Sequence, residues 1–158
     1  DCVLAVDATN EMIEQIKKAK KILYLADNAG EIVLDKLLIE EMIKSSIISA
    51  EQLTLVVRGA PILNDVTLED LTEVGIPTSI RIIDNGDCTP GTWLPDTSDE
   101  FNQVWAEADV VISKGQGNYE TLSLVDGKQI FFLLIAKCEI VASELGVRLG
   151  DFICKKTS

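Results

Sequence analysis

Short apolar runs alternate with amphipathic stretches along almost the whole chain. Ile22 to Ala26 (ILYLA), Leu53 to Val57 (LTLVV), Ile80 to Ile83, Asp109 to Ser113 (DVVIS) and Ile130 to Ile135 (IFFLLI) are compact runs rich in branched side chains. Runs of this length and composition predict buried strands. The stretches between them predict helices over 7–20, 30–45, 65–74, 99–108, 118–125 and 138–146. In the first, Ile13 and Ile16 lie three apart, with acidic residues leading and lysines closing, which suits the helix dipole. In the second, Val33, Leu34, Leu37, Leu38 and Met42 follow a 3.6-residue repeat, the stripe of a helix packed on one face. Gly75 and Pro77 end the third. The tail VRLGDFI reads as an added edge strand.

Strands that alternate with helices build βαβ units and a parallel sheet. Nearly continuous apolar strands fit a sheet covered on both faces. The expected fold is therefore α/β, a Rossmann-like three-layer sandwich with a mainly parallel sheet of five or six strands, and 1–158 reads as one domain. The one long irregular stretch is 84–98, DNGDCTPGTWLPDTS. A loop of that length in a compact domain is more often functional than idle, and it is expected to cross the carboxyl rim of the sheet.

Composition narrows the chemistry. The 158 residues are 47% hydrophobic but only 5% aromatic, so the core is aliphatic. A net charge of −12 argues against a nucleic-acid surface, which needs clustered Lys and Arg. There is no histidine, which excludes Ser-His-Asp and Cys-His catalysis and His-rich zinc sites. A metal here must rely on oxygen ligands, which suit Mg, Mn or Ca. Cys2, Cys88, Cys138 and Cys154 have neither zinc nor redox spacing and read as reduced thiols of a cytoplasmic protein. No apolar run reaches the ~20 residues of a membrane span. The chain begins at Asp1 without a methionine, as a fragment would.

Ligands of open α/β sheets bind beyond the carboxyl ends of the strands. The first strand is followed by Asp27-Asn28-Ala29-Gly30-Glu31 and the second by Arg58-Gly59-Ala60-Pro61, then Asn64-Asp65. The third is followed by Asp84-Asn85-Gly86-Asp87, the fourth by Lys114-Gly115-Gln116-Gly117-Asn118 and the fifth by Lys137. Charged and amide side chains are thus expected on one rim. Asp27, Asn28 and Asp65 would form a hard-oxygen cation site with room for waters and a phosphate. The plain alternative is capping: Asp27 and Asn28 as N-caps, Asn64 as the cap of the next helix and Asp65 in its first turn. Arg58 and Lys114 are the expected anion-binding pair, a planar fork and a point charge. The sequence KGQGN resembles a glycine-rich phosphate cradle but fits neither GxGxxG nor the Walker pattern. Ala29 stands where a DxDx phosphatase motif would place its second acid.

The segments DNAGEIVLDKLLIEEM, VVRGAPILNDVTLEDL and ADVVISKGQGNYETL together resemble the damage-control phosphatases, the former domain of unknown function 89, in their archaeal and bacterial branch. The resemblance spans nearly the whole chain in order. It implies a Rossmann-like fold and hydrolysis of phosphate monoesters of small metabolites such as sugar phosphates, using Mn, Ni, Co or Mg. It implies metal binding by Asp27, Asn28 and Asp65 and phosphate contact by Lys114. Glu31, Arg58, Asn64 and Asn118 match recurrent family positions with less defined roles, and are expected near substrate. Members usually carry a further helical region before the first block. Only one short helix is expected there in this chain, which would leave one wall of the pocket incomplete.

Two mechanisms stay open: Asp27 attacks phosphorus, or it positions an attacking water. The rival function is a non-catalytic nucleotide or phosphometabolite binding module, which would use the basic residues and glycine loops without needing Asp27 and Asp65 at one cation. A phosphotransferase is disfavoured by the lack of a recognisable ATP-binding motif.

Overall fold

The structure, a computed structural model, describes residues 3–157. Among these residues seven strands form one sheet: β1 Leu4–Asp7, β2 Ile22–Leu25, β3 Leu53–Val57, β4 Arg81–Asp84, β5 Val110–Lys114, β6 Ile130–Ile135 and β7 Phe152–Lys156. Their order is β1-β7-β6-β5-β2-β3-β4. Every pairing is parallel except β6 with β7. The helices are α1 Thr9–Lys18, α2 Ile32–Lys44, α3 Leu68–Val74, α4 Asp99–Glu107, α5 Gln116–Leu122 and α6 Glu139–Leu145.

Two apolar layers sandwich the sheet. On one face Met12 and Ile16 of α1, Ile32, Ile39 and Met42 of α2 and Leu71 of α3 pack against Tyr24, Leu55 and Ile112. On the other face Phe101 and Trp105 of α4, Tyr119 and Leu122 of α5 and Val141 of α6 cover Leu23, Val111 and Phe132. Successive side chains of a strand point to opposite faces, and both faces here are covered, so the central strands are apolar throughout. The expected α/β three-layer architecture is present, with the five expected strands mutually parallel.

Three expectations are corrected. The sheet has seven strands rather than five or six, because Leu4–Asp7 is itself a strand and the expected helix over 7–20 starts only at Thr9, whose N–H is capped by Asp7 Oδ1 at 2.9 Å. The helix expected over 65–74 begins at Leu68, set by a capping box between Thr67 and Asp70 and ended by Gly75 at φ 68°. The stripe on α2 faces differently. Val33, Leu34, Leu37 and Leu38 are exposed, while Ile32, Asp35, Ile39 and Met42 are buried. The face against the sheet is the 32/35/39/42 row, and it contains an aspartate.

Candidate functional site

Strand order reverses between β2 and β5: the chain proceeds outward from β2 through β3 to β4, then returns to place β5 on the other side of β2. A crevice opens at such a switch point beyond the carboxyl ends. Asp27 and Asn28 follow β2 and Lys114 ends β5, so they flank it.

The segment 64–66 lies alongside the chain leaving β2. Ala29 donates its N–H to the Asn64 carbonyl at 2.8 Å and Val66 donates to the Asp27 carbonyl at 3.0 Å. Asn28 and Asp65 form a two-residue antiparallel bridge, and Arg58 N–H bonds the Val66 carbonyl at 2.8 Å. This short ladder fixes the backbones of Asp27, Asn28 and Asp65 side by side. The capping alternatives fail for Asp65, which lies before the Thr67 N-cap, and for Asp27, since Glu31 is the N-cap of α2. Asn28 Oδ1 accepts the Glu31 N–H at 2.9 Å at the start of α2, and its side chain also lies on the pocket wall.

Burial raises the Asp27 pKa first, and the neighbouring Asp65 carboxylate raises it further, against a lowering by Lys137. Two carboxylates that repel one another at a half-buried position are a donor set suited to a hard cation. Gly115 explains how Asp27 fits. It holds φ 83°, and a Cβ on it would overlap the Asp27 carboxylate. Among the described residues no three His, Cys, Asp or Glu side chains form a metal-holding cluster. The set here is two carboxylates and an amide.

A pocket of about 460 Å³ opens at this rim. Asp27, Asn28, Glu31, Lys114 and Lys137 supply its polar side, and Leu34, Leu133 and Phe152 part of an apolar wall. Lys114 is nearly buried. Its ammonium donates to Glu31 Oε1 and, at 2.5 Å, to Asp35 Oδ1. Burial pulls the Lys114 pKa down, but Asp35 and Glu31 more than offset this and hold it above its ordinary value.

The other expected site residues stand elsewhere. Asp65 and Arg58 do not line this pocket, so of the three expected cation ligands only Asp27 and Asn28 do, and Arg58 is buried. Its Nε donates to Asp65 Oδ2 at 2.9 Å and its NH1 donates to the Gly91 carbonyl. It ties Asp65 to the 84–98 loop. Asn118 is also buried: its Nδ2 donates to the Lys114 carbonyl at 2.8 Å, and its Oδ1 accepts the Thr92 hydroxyl at 2.8 Å. Asn64 is exposed and contributes its backbone carbonyl to the ladder. The loop 84–98 does cross the rim from β4 to α5. Asp87 accepts three bonds within it, and Gly91 packs on Gly117, where a Cβ would overlap the Gly117 carbonyl. Gly115 and Gly91 are thus both required by close contacts inside the protein, whereas a Cβ on Gly117 would come no nearer than 3.3 Å to Gly91 N. Asp35 and its partner Tyr24 were not singled out from the sequence. Only the spacing of Asp35 to Ile32, Ile39 and Met42 signals its inward position.

Residues 2–153 match the family described as the damage-control phosphatase ARMT1-like domain. A damage-control phosphatase of Pyrococcus horikoshii is 41% identical over 153 residues, covering 97% of this chain and 52% of the relative. One of Archaeoglobus fulgidus is 41% identical over 145 residues, covering 90% of this chain and 49% of the relative. The crystal structure of a DUF89 family protein from Pyrococcus horikoshii superposes with a TM-score of 0.91 over 99% of this chain and 54% of its own. The chain therefore spans about half the length of the relatives it matches. With a family match over nearly the whole chain, 41% identity to these relatives and a shared fold, the chain belongs to the damage-control phosphatase ARMT1-like family.

Proposed function

We propose that the chain carries the centre of a metal-dependent phosphatase acting on phosphate monoesters of small metabolites such as sugar phosphates. Family membership supports the reaction class. The observation that carries it is the Asp27–Asp65 pair: two carboxylates on hydrogen-bonded neighbouring backbone, Asp27 lining a pocket into which Lys114 brings an ammonium and Asp65 behind that lining on Arg58.

Asp27, Asn28 and Asp65 are the residues that would hold a divalent cation, Mn, Ni, Co or Mg. Bound there, it supplies Lewis acidity toward a phosphoryl oxygen. Lys114 has three ammonium donors, two of them engaged by Glu31 and Asp35. The third, without a partner among the described residues, can meet a phosphoryl oxygen whose charge shifts during transfer. Asp27 either attacks phosphorus or orients the attacking water. Trapping of a phosphoaspartate separates the two. Arg58 supports the site through Asp65, and the exposed Lys137 adds positive charge at the mouth. No described helix is long and apolar enough to cross a membrane. A cytoplasmic setting, in which Cys88, Cys138 and Cys154 stay as free thiols, belongs to the same proposal, while Cys2 lies outside the described residues.

The test is turnover of p-nitrophenyl phosphate by the full-length protein with Mn, compared with EDTA. Turnover that needs Mn and disappears in Asp65→Ala is expected. Phosphate binding without any metal-dependent turnover would favour the binding-module alternative.

A further inference from the structure

We infer that Asp35, held by Tyr24, is a positioning residue that fixes the Lys114 ammonium for phosphate, an inference that rests on the phosphatase reading. Asp35 is 2% exposed and sits in the row of α2 that packs on the sheet, between Ile32 and Ile39. A buried charge in such a row is poorly explained by stability, because apolar residues of similar volume commonly replace buried ion pairs without loss. The carboxylate is also incompletely satisfied. Lys114 Nζ at 2.5 Å and the Tyr24 hydroxyl at 2.8 Å both donate to Oδ1, while the buried Oδ2 has no partner among the described residues. An arrangement optimised for the core would use both oxygens. This one concentrates its bonds on the oxygen that meets Lys114.

The geometry gives each group a distinct part. Tyr24 is fully buried in the middle of β2, where Phe would serve the core equally well. Among the described contacts its hydroxyl donates to Asp35, which fixes the carboxylate's rotamer. Asp35 holds the ammonium from below. Glu31, 32% exposed at its side chain, holds it at the pocket edge. A free lysine side chain samples many rotamers, and pinning two of its three donors leaves the third aimed by the other two. The burial that raises the Asp35 pKa is opposed chiefly by Lys114, so the two charges depend on each other.

A merely structural Asp35 would anchor α2 to the sheet and act on activity only through the fold. The two roles separate in a double-mutant cycle with the full-length protein, Mn and p-nitrophenyl phosphate. Asp35→Asn keeps volume and one acceptor but removes the charge. It is expected to lower kcat about tenfold with unchanged Mn affinity, and to lower it no further in a Lys114→Ala background. Tyr24→Phe is expected to lose about two- to threefold, also only when Lys114 is present. Equal fractional losses in both backgrounds, or wild-type kcat in Asp35→Asn, would overturn the positioning role alone. Absence of metal-dependent turnover in the wild type would overturn the phosphatase reading and the positioning role with it. A readout independent of turnover is the Lys114 ammonium 15N–1H resonance. Held by two carboxylates, it is expected as a slowly exchanging signal that is lost in Asp35→Asn while the amide spectrum stays folded. Its persistence in the variant would overturn the inference.

Discussion

Gly115 lies directly against the Asp27 carboxylate, with no room between them for a methyl group. The backbone at Gly115 has φ 83°, a conformation L-residues adopt at a cost of about 1 kcal/mol or more. Gly115→Ala therefore meets strain and overlap together, and Asp27 must move. The expected outcome is a loss of Mn affinity of about tenfold or more, the scale seen when a residue supporting a ligand is lost, read by calorimetric titration. Wild-type Mn affinity in the variant would separate Asp27 from the cation site.

Arg58 is the bond between the cation-site candidate Asp65 and the 84–98 loop. Its side chain and that of Asp65 are 3% and 10% exposed. Removing one partner of a buried pair strands the other charge, at a cost of ~3–5 kcal/mol. Arg58→Ala should lose stability on that scale in urea denaturation and expose 84–98 to faster proteolysis. Arg58→Lys should recover little, because one ammonium cannot reproduce the forked contacts to Asp65 and the Gly91 carbonyl. Near wild-type stability of Arg58→Ala would refute the tie.

The order β2 to β6 and the rim that gathers Asp27, Glu31 and Lys114 were legible in the sequence, because buried parallel strands are apolar throughout and their carboxyl ends share one edge. β1 was not, since LAVD is short and runs straight into a helical pattern. Nor was the seating of β7 between β1 and β6, antiparallel to β6 alone, which only the tertiary fold specifies. Asp35 escaped because hydropathy assigns an aspartate to the solvent face. The apparent 3.6-residue repeat falls on Val33, Leu34, Leu37, Leu38 and Met42 instead, and of these only Met42 is buried. Arg58 read as an anion binder because its place after a strand is visible in the sequence and its partner Asp65, seven residues on, is not.

Asp109 offers a test of electrostatics away from the site. Its Oδ2 accepts the N–H groups of Lys20 and Lys21 at 2.7 and 2.9 Å, pinning the chain before β2 to the start of β5. Those bonds, Lys21 before Lys20, lower its pKa from the ordinary 3.8. A carboxylate with a lowered folded pKa adds stability that is fully present above its unfolded pKa and lost as pH falls through the folded value. Asp109→Asn should thus be less stable than the wild type near neutral pH, with the gap in urea midpoint closing below pH ~3. A gap independent of pH would show that the charge contributes nothing.

Lys137 and Lys114 share the pocket but differ in burial, and that difference predicts different kinetics. Lys137 is exposed, lines the mouth and acts on Asp27 through space. An exposed charge attracts an anionic substrate in ground and transition states alike, so its loss raises KM more than it lowers kcat. Its field is screened within ~8–10 Å at ordinary salt. Lys114 is buried and held by Glu31 and Asp35, so salt reaches it poorly. Losing an electrostatic donor aimed at the transition state typically costs on the order of a hundredfold in turnover. Lys137→Ala should raise KM a few-fold at low salt, with the effect fading as salt is added, while kcat stays near wild type. Lys114→Ala should lower kcat at every salt concentration and leave Mn affinity intact. Steady-state kinetics on p-nitrophenyl phosphate across a salt series, with Mn titrations alongside, measures both. A salt-sensitive loss in Lys114→Ala, or near wild-type turnover with intact metal binding, would place its ammonium outside the reacting centre and weaken the phosphatase reading with it.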